Sequence, residues 1–168
     1  ELILSRVPER SYSHEEKVVL ATKKNEIYKE LITRITPDDL LPGIEQLLEE
    51  LRESGICVAL ASASRNAPVI VENLQIGDKL DVITDPNKLD RGKPDPEQFF
   101  MAAEMLGVPT RNCVGIEDAQ AGVDAIRGAG MFSVGVGEYL QGADWKVSAS
   151  SELSLAALRE QFYRHCGG

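Results

Sequence analysis

Apolar positions recur with two different periods along the chain, and the switches between them mark out its elements. Residues 14–33 put Leu20, Ile27, Tyr28 and Leu31 on one stripe, which predicts a helix; Lys24 interrupts that stripe four residues before Tyr28. Thr36-Pro37-Asp38-Asp39 breaks the pattern. Ile44, Leu47, Leu48 and Leu51 then follow the i, i+3, i+4, i+7 spacing of an amphipathic helix that stops at Gly55. Ile56 to Ala61 is apolar without alternation, which predicts a strand buried on both faces, as in a parallel sheet.

The same alternation continues to the C-terminus. A helix is expected over 67–74 and a strand over 81–84. In the next helix Asp95 suits the N-cap, Pro96 the first helical position, and Gln98 the closing residue of a capping box. Phe99, Phe100, Ala103 and Leu106 form its apolar side, and Gly107 stops it. Strands are expected at 113–116, 132–136 and 145–147, with helices at 119–129, ended by Gly130, and 152–163. Helices alternating with short apolar strands predict an α/β fold with a parallel sheet and right-handed crossovers.

Composition narrows the class. The 168 residues carry 18 Lys and Arg against 27 Asp and Glu, a net charge of −9, so nucleic acid and anionic membrane are poor partners. An anionic substrate would need a local cluster of cations or a metal. Cys57, Cys113 and Cys166 are odd in number and lack zinc spacing; Cys57 and Cys113 read as small buried hydrophobes. That usage suits a reducing cytoplasm. The first six residues have neither a basic start nor a long apolar core, so no signal peptide is expected. His14 and His165 read as surface residues.

Ligands of open α/β sheets bind beyond the carboxyl ends of the strands. Three polar groups fall at such ends or beside them: Ser62 to Asn66, Lys93, and Glu117-Asp118. Adjacent carboxylates after a buried strand suit Mg²⁺, although Asp118 could equally cap the next helix. Ser62, with the backbone N–H groups of Ala63 and Ser64, could form an anion site or an ordinary Ser-rich turn. Lys93 could neutralise a phosphoryl group or be a solvated loop residue. Lys24 either snorkels past its stripe or reaches a ligand.

Taken together, these segments resemble the haloacid dehalogenase superfamily of phosphoryl-transfer enzymes. The Ser62 turn is similar to its second motif, Lys93 to its third, and Gly115-Ile116-Glu117-Asp118 to its fourth. Ser62-Ala63-Ser64-Arg65-Asn66, Lys93-Pro94-Asp95-Pro96, Glu117-Asp118-Ala119-Gln120-Ala121-Gly122 and Lys24-Asn25 narrow the resemblance to its β-phosphoglucomutase branch. The resemblance implies a Rossmann-like core over 41–168, part of a helical cap over 1–35 and a linker at 36–40. It also implies conversion of β-D-glucose 1-phosphate to glucose 6-phosphate through a phospho-aspartyl enzyme and β-glucose 1,6-bisphosphate. Ser62 and Lys93 would hold the transferring phosphoryl group, and Glu117 and Asp118 would complete a Mg²⁺ site. Arg65 and Asn66 would bind the distal phosphate, and Lys24 would contact the sugar phosphate from the cap.

One departure is plain: the superfamily's first motif, Asp-x-Asp-Gly, does not occur in these 168 residues. By resemblance it supplies the nucleophile, the general acid/base and a metal carboxylate. Its strand lies centrally, between those ending at Ser62 and Glu117. The expectation is therefore a C-terminal part of such an enzyme, inactive alone, with a gap between those two strands. A sugar-phosphate phosphatase and a non-catalytic phosphosugar-binding remnant are the alternatives, and the oligomeric state is open.

Overall fold

The computed structural model describes residues 11–167. Helix α1, His14–Ile32, opens on a capping box. Ser13 Oγ accepts from Glu16 N at 3.1 Å, and Glu16 Oε2 accepts from Ser13 N at 2.9 Å. Its expected apolar stripe is not covered: Leu20, Ile27 and Leu31 stay exposed and only Ile32 is buried. The helix instead meets the rest of the chain through polar contacts, such as Asn73 Nδ2 donating to the Ile32 carbonyl at 2.7 Å. Gly43 then takes a φ of 83°, which a side chain resists, and starts α2, Ile44–Glu53.

Two parallel sheets follow. β1, Ala59–Leu60, pairs with β2, Val82–Ile83, with α3, Ala67–Asn73, between them in sequence. β3, Val114–Glu117, pairs with β4, Phe132–Val136, which pairs with β5, Trp145–Val147. Among the described residues β1 and β3 do not pair, as the missing-strand expectation requires. Val114 and Ile116 of β3 are correspondingly exposed, at 37% and 39%.

The core forms two clusters. α2 and α6, Leu155–Cys166, cover β4 and β5 through Leu47, Phe132, Val134, Val147, Leu153 and Leu158. α4, Glu97–Leu106, and α5, Gln120–Gly128, meet through Phe99, Ala103, Ala125 and Ile126. Gly115 is required beneath α5, because a Cβ there would lie 2.6 Å from Ile126 Cγ1.

Four expectations need correction. The strand expected over 56–61 is only two residues long, and Ile56 and Cys57 are exposed, because β1 is flanked on one side alone. Phe100 is exposed, and Ala102 takes its place in the buried face. α4 begins at Glu97 with Pro96 in the cap position, while Asp95 Oδ1 accepts from Glu97 N at 3.1 Å. Gln98 closes no capping box; it turns inward, is 1% exposed, and donates to Thr84 Oγ1 at 3.0 Å. His165 is exposed, as expected of a surface residue, with its Nδ1 3.7 Å from Asp144 Oδ1 and its ring edge-on to Phe132.

Candidate active site

The site is assembled from three chain segments at one rim of the strands. β1 ends at Leu60, and the turn after it is folded by its own serines. Ser64 N donates to Ser62 Oγ at 3.2 Å, and Asn66 N donates to Ser64 Oγ at 3.2 Å. Each hydroxyl keeps its own hydrogen available to a ligand. Asn66 does not cap α3 with its side chain; its Nδ2 donates to Asn25 Oδ1 of α1 at 3.2 Å.

Lys93 joins the segments. Its Nζ donates to the Ala61 carbonyl at 3.1 Å, next to Ser62, and to the Glu117 carboxylate at the end of β3. The ammonium also lies 5.1 Å from the centre of the Phe99 ring. Only 18% of the Lys93 side chain and 12% of the Glu117 side chain are exposed, so the pair is more than a solvated surface contact. Glu117 lies across the first turn of α5, where a Cβ on Gly122 would come within 2.2 Å of Glu117 Cδ. Glycine at 122 is what makes that close approach available.

Asp118 behaves differently from its neighbour. Ala119 holds the cap position of α5 without a side-chain bond, so Asp118 is not the helix cap. Its carboxylate is exposed, while its carbonyl accepts from the Tyr139 hydroxyl at 3.4 Å. The turn is clipped to the loop after β4 by Gln120: Nε2 donates to the Gln141 carbonyl at 3.0 Å and Oε1 accepts from Gln141 N at 2.8 Å.

Two adjacent carboxylates supply hard oxygen donors, and among the described residues no group of three His, Cys, Asp or Glu gathers anywhere. Mg²⁺ is commonly held by one or two carboxylates together with water and substrate phosphate. Glu117 and Asp118 fit that ion in donor type.

A cleft of about 410 Å³ opens between α1 and the serine turn, lined by Ala21, Thr22, Asn25, Lys29, Arg65 and Asn66. Arg65 and Asn66 are the expected members. Lys24 does not line it, whereas Asn25 and Lys29 do. The guanidinium also acts on Asp85, whose carboxyl lies below its ordinary value. The cause is chiefly hydrogen bonds from the Asn87 backbone and side chain, with Lys88 and Arg65 adding less.

Lys29, Gln120 and Gly122 went unrecognised as site residues in the sequence. The spacing of Asn25 and Lys29, one helical turn, is the signal that places them together. Gln120 and Gly122 lie inside the fourth-motif segment, but their contacts depend on the loop after β4 and on the Glu117 rotamer.

The haloacid dehalogenase-like hydrolase family matches residues 5–130. The β-phosphoglucomutase of Bacillus subtilis (strain 168) is 47% identical over 159 residues, 94% of this chain and 70% of that protein. The crystal structure of a β-phosphoglucomutase from Clostridium difficile superposes with a TM-score of 0.89 at 45% identity, over 94% of this chain and 71% of that one. A CbbY structure from Rhodobacter sphaeroides, in complex with xylulose-(1,5)bisphosphate, gives a TM-score of 0.74 at 26% identity, over 92% of this chain and 75% of that one.

Proposed function

Because the chain belongs to the haloacid dehalogenase-like hydrolase family, we propose that it serves the interconversion of β-D-glucose 1-phosphate and glucose 6-phosphate, as the part that holds and neutralises the phosphate groups. The observation that carries this reading is Lys93, whose Nζ joins the Ser62 turn to Glu117. Phosphoryl transfer asks a protein mainly for positioning and for charge opposite the equatorial oxygens. The Ser62 hydroxyl and Lys93 ammonium supply a donor and a cation for the transferring group. The backbone of Ala63 and Ser64, with Arg65 and Asn66, takes the distal phosphate of the sugar.

Glu117 and Asp118 would hold Mg²⁺, which supplies positive charge against the phosphoryl oxygens when bound. A phosphoryl oxygen entering beside Lys93 competes with Glu117 for the ammonium and frees that carboxylate toward the metal side. No Asp-x-Asp-Gly occurs in the 168 residues, so the accepting carboxylate of the branch's covalent step is not among them. Residues 11–35 correspond to cap and 41–167 to core in this reading.

Calorimetric titration with β-glucose 1,6-bisphosphate, which carries a phosphate at each end, with and without Mg²⁺, tests it. Binding is expected to require Lys93, to be lost in Lys93→Ala, and to tighten with Mg²⁺. Equal affinity for glucose and the bisphosphate would overturn the reading.

A further inference from the structure

Helix α1 presents Ala21 and Thr22, Asn25 and Lys29 to the cleft. These positions are three or four residues apart and share one helical face, whereas Lys24 is rotated by about 100° from Asn25. Arg65 of the serine turn lines the same cleft as Lys29, and no carboxylate is among its lining residues. Lys29 makes no ion pair among the described residues, in a chain whose net charge is −9. Two cations in a cleft lined by no carboxylate, beside two amides and a hydroxyl, form a donor-rich space for a dianion. The Asn25–Asn66 hydrogen bond holds the two walls together without occupying either cation.

We propose that Lys29 is a specificity-determining residue for the non-reacting phosphate of the substrate, the α1 counterpart of Arg65. The proposal rests on the sugar-phosphate reading above and deepens it. A lysine on α1 that contacts only this phosphate makes the closeness of α1 to the core depend on the ligand's charge. Neutral sugars gain nothing from it, and a monophosphate gains from it only when its phosphate lies in this cleft rather than beside Lys93. Selection therefore falls on ligands that carry a phosphate at this end.

The test is calorimetry at low salt on the 168-residue chain, with glucose 6-phosphate, inorganic phosphate and glucose as ligands. Lys29→Ala is expected to weaken glucose 6-phosphate about tenfold, the scale of one charge-assisted hydrogen bond. Lys29→Arg restores most of that affinity, and the exposed control Lys23→Ala changes nothing. The salt dependence of binding becomes shallower in Lys29→Ala, which loss of a packing contact would not produce. Unchanged affinity in Lys29→Ala, with binding lost in Arg65→Ala, overturns the assignment and leaves the sugar-phosphate reading standing. A loss in Lys24→Ala equal to or larger than that in Lys29→Ala also overturns it. Wild-type protein that binds neither phosphate ligand overturns both.

Discussion

Lys93 donates to Glu117 across 24 positions of sequence, and the same ammonium holds the carbonyl of Ala61. One side chain thus ties the end of β1 to the end of β3, two strands that share no backbone hydrogen bond among the described residues. The ion pair spans the space between the two sheets, and in the proposed reading it lies beside the transferring phosphoryl group.

Removing that tie is expected to cost stability as well as binding. Lys93→Met leaves the largely buried Glu117 carboxylate without its partner, at a cost of about 1–3 kcal/mol. Adding Glu117→Gln to Lys93→Met should recover part of the loss, because no buried charge then remains. Urea titrations of the two single variants and the double variant give the coupling. Additive effects would show that the pair contributes nothing as a pair.

Much of this architecture was legible in the sequence. The strands at 132–136 and 145–147 and the helix starting at Ile44 follow from local apolar pattern and glycine stops, which tertiary context does not override. The apolar run Ile56–Ala61 predicts a longer strand than the two residues that form, because burial of a strand depends on neighbours on both sides. Its composition describes a central position, while its surroundings in this chain provide one flank. Spacing alone points Gln98 to a cap, yet an amide in the first turn of a helix can equally turn inward when Thr84 offers a partner. On α1 the apolar stripe alone does not reveal which face the core covers. The stripe with Lys24 looks like the buried one, but the contacts run through the Asn25 side chain and through Ile32.

Two glycine-to-alanine changes should separate packing from positioning. At Gly115 the new methyl meets Cγ1, Cγ2 and Cδ1 of Ile126, which is fully buried. Overpacking there is expected to cost about 1–3 kcal/mol. At Gly122 the methyl meets the far end of the Glu117 side chain, which can swing away, and alanine gains about 1 kcal/mol of helix propensity. Gly122→Ala should therefore leave the melting temperature nearly unchanged while weakening Mg²⁺ and phosphate binding together. A large loss of stability at Gly122 with intact binding would contradict this account.

Asp144 sets an acid limit on stability. Burial pushes its carboxyl upward, but hydrogen bonds from the Ser133 hydroxyl and backbone N–H outweigh this, helped by the charges of His165 and Arg127. The bonds are 2.6 and 2.8 Å long, and the net result lies below the ordinary value of 3.8. A depressed folded value means the stabilisation is fully present above the unfolded pKa and is lost as pH falls through the folded one. Asp144→Asn is expected to destabilise the protein at neutral pH by about 1–2 kcal/mol. The gap between variant and wild type should close below roughly pH 3.8. Denaturant midpoints measured from pH 7 to pH 2.5 check this; a gap that stays constant across that range would remove Asp144 from the acid response.

Turnover is the strictest test of how the work is divided among residues. In the proposed reading Ser62, Lys93, Glu117 and Asp118 would supply donors, charge and metal oxygens, but none stands as an accepting carboxylate free of other duties. Glu117 is held by Lys93, and Asp118 is exposed. Without an aspartyl nucleophile no phosphoenzyme forms, and covalent transfer loses its first step. The 168-residue chain is therefore expected to bind sugar phosphate yet leave β-glucose 1-phosphate unconverted, as followed by ³¹P NMR in the presence of Mg²⁺ and the bisphosphate. Mg²⁺ alone should bind weakly, since two carboxylates must compete with its tightly held water, and phosphate should strengthen it. Asp118→Asn should weaken that Mg²⁺ dependence, while binding of phosphate without metal stays close to wild type. Conversion of β-glucose 1-phosphate that co-purifies with the chain and disappears in Lys93→Ala would show that one of the 168 residues does serve as the acceptor.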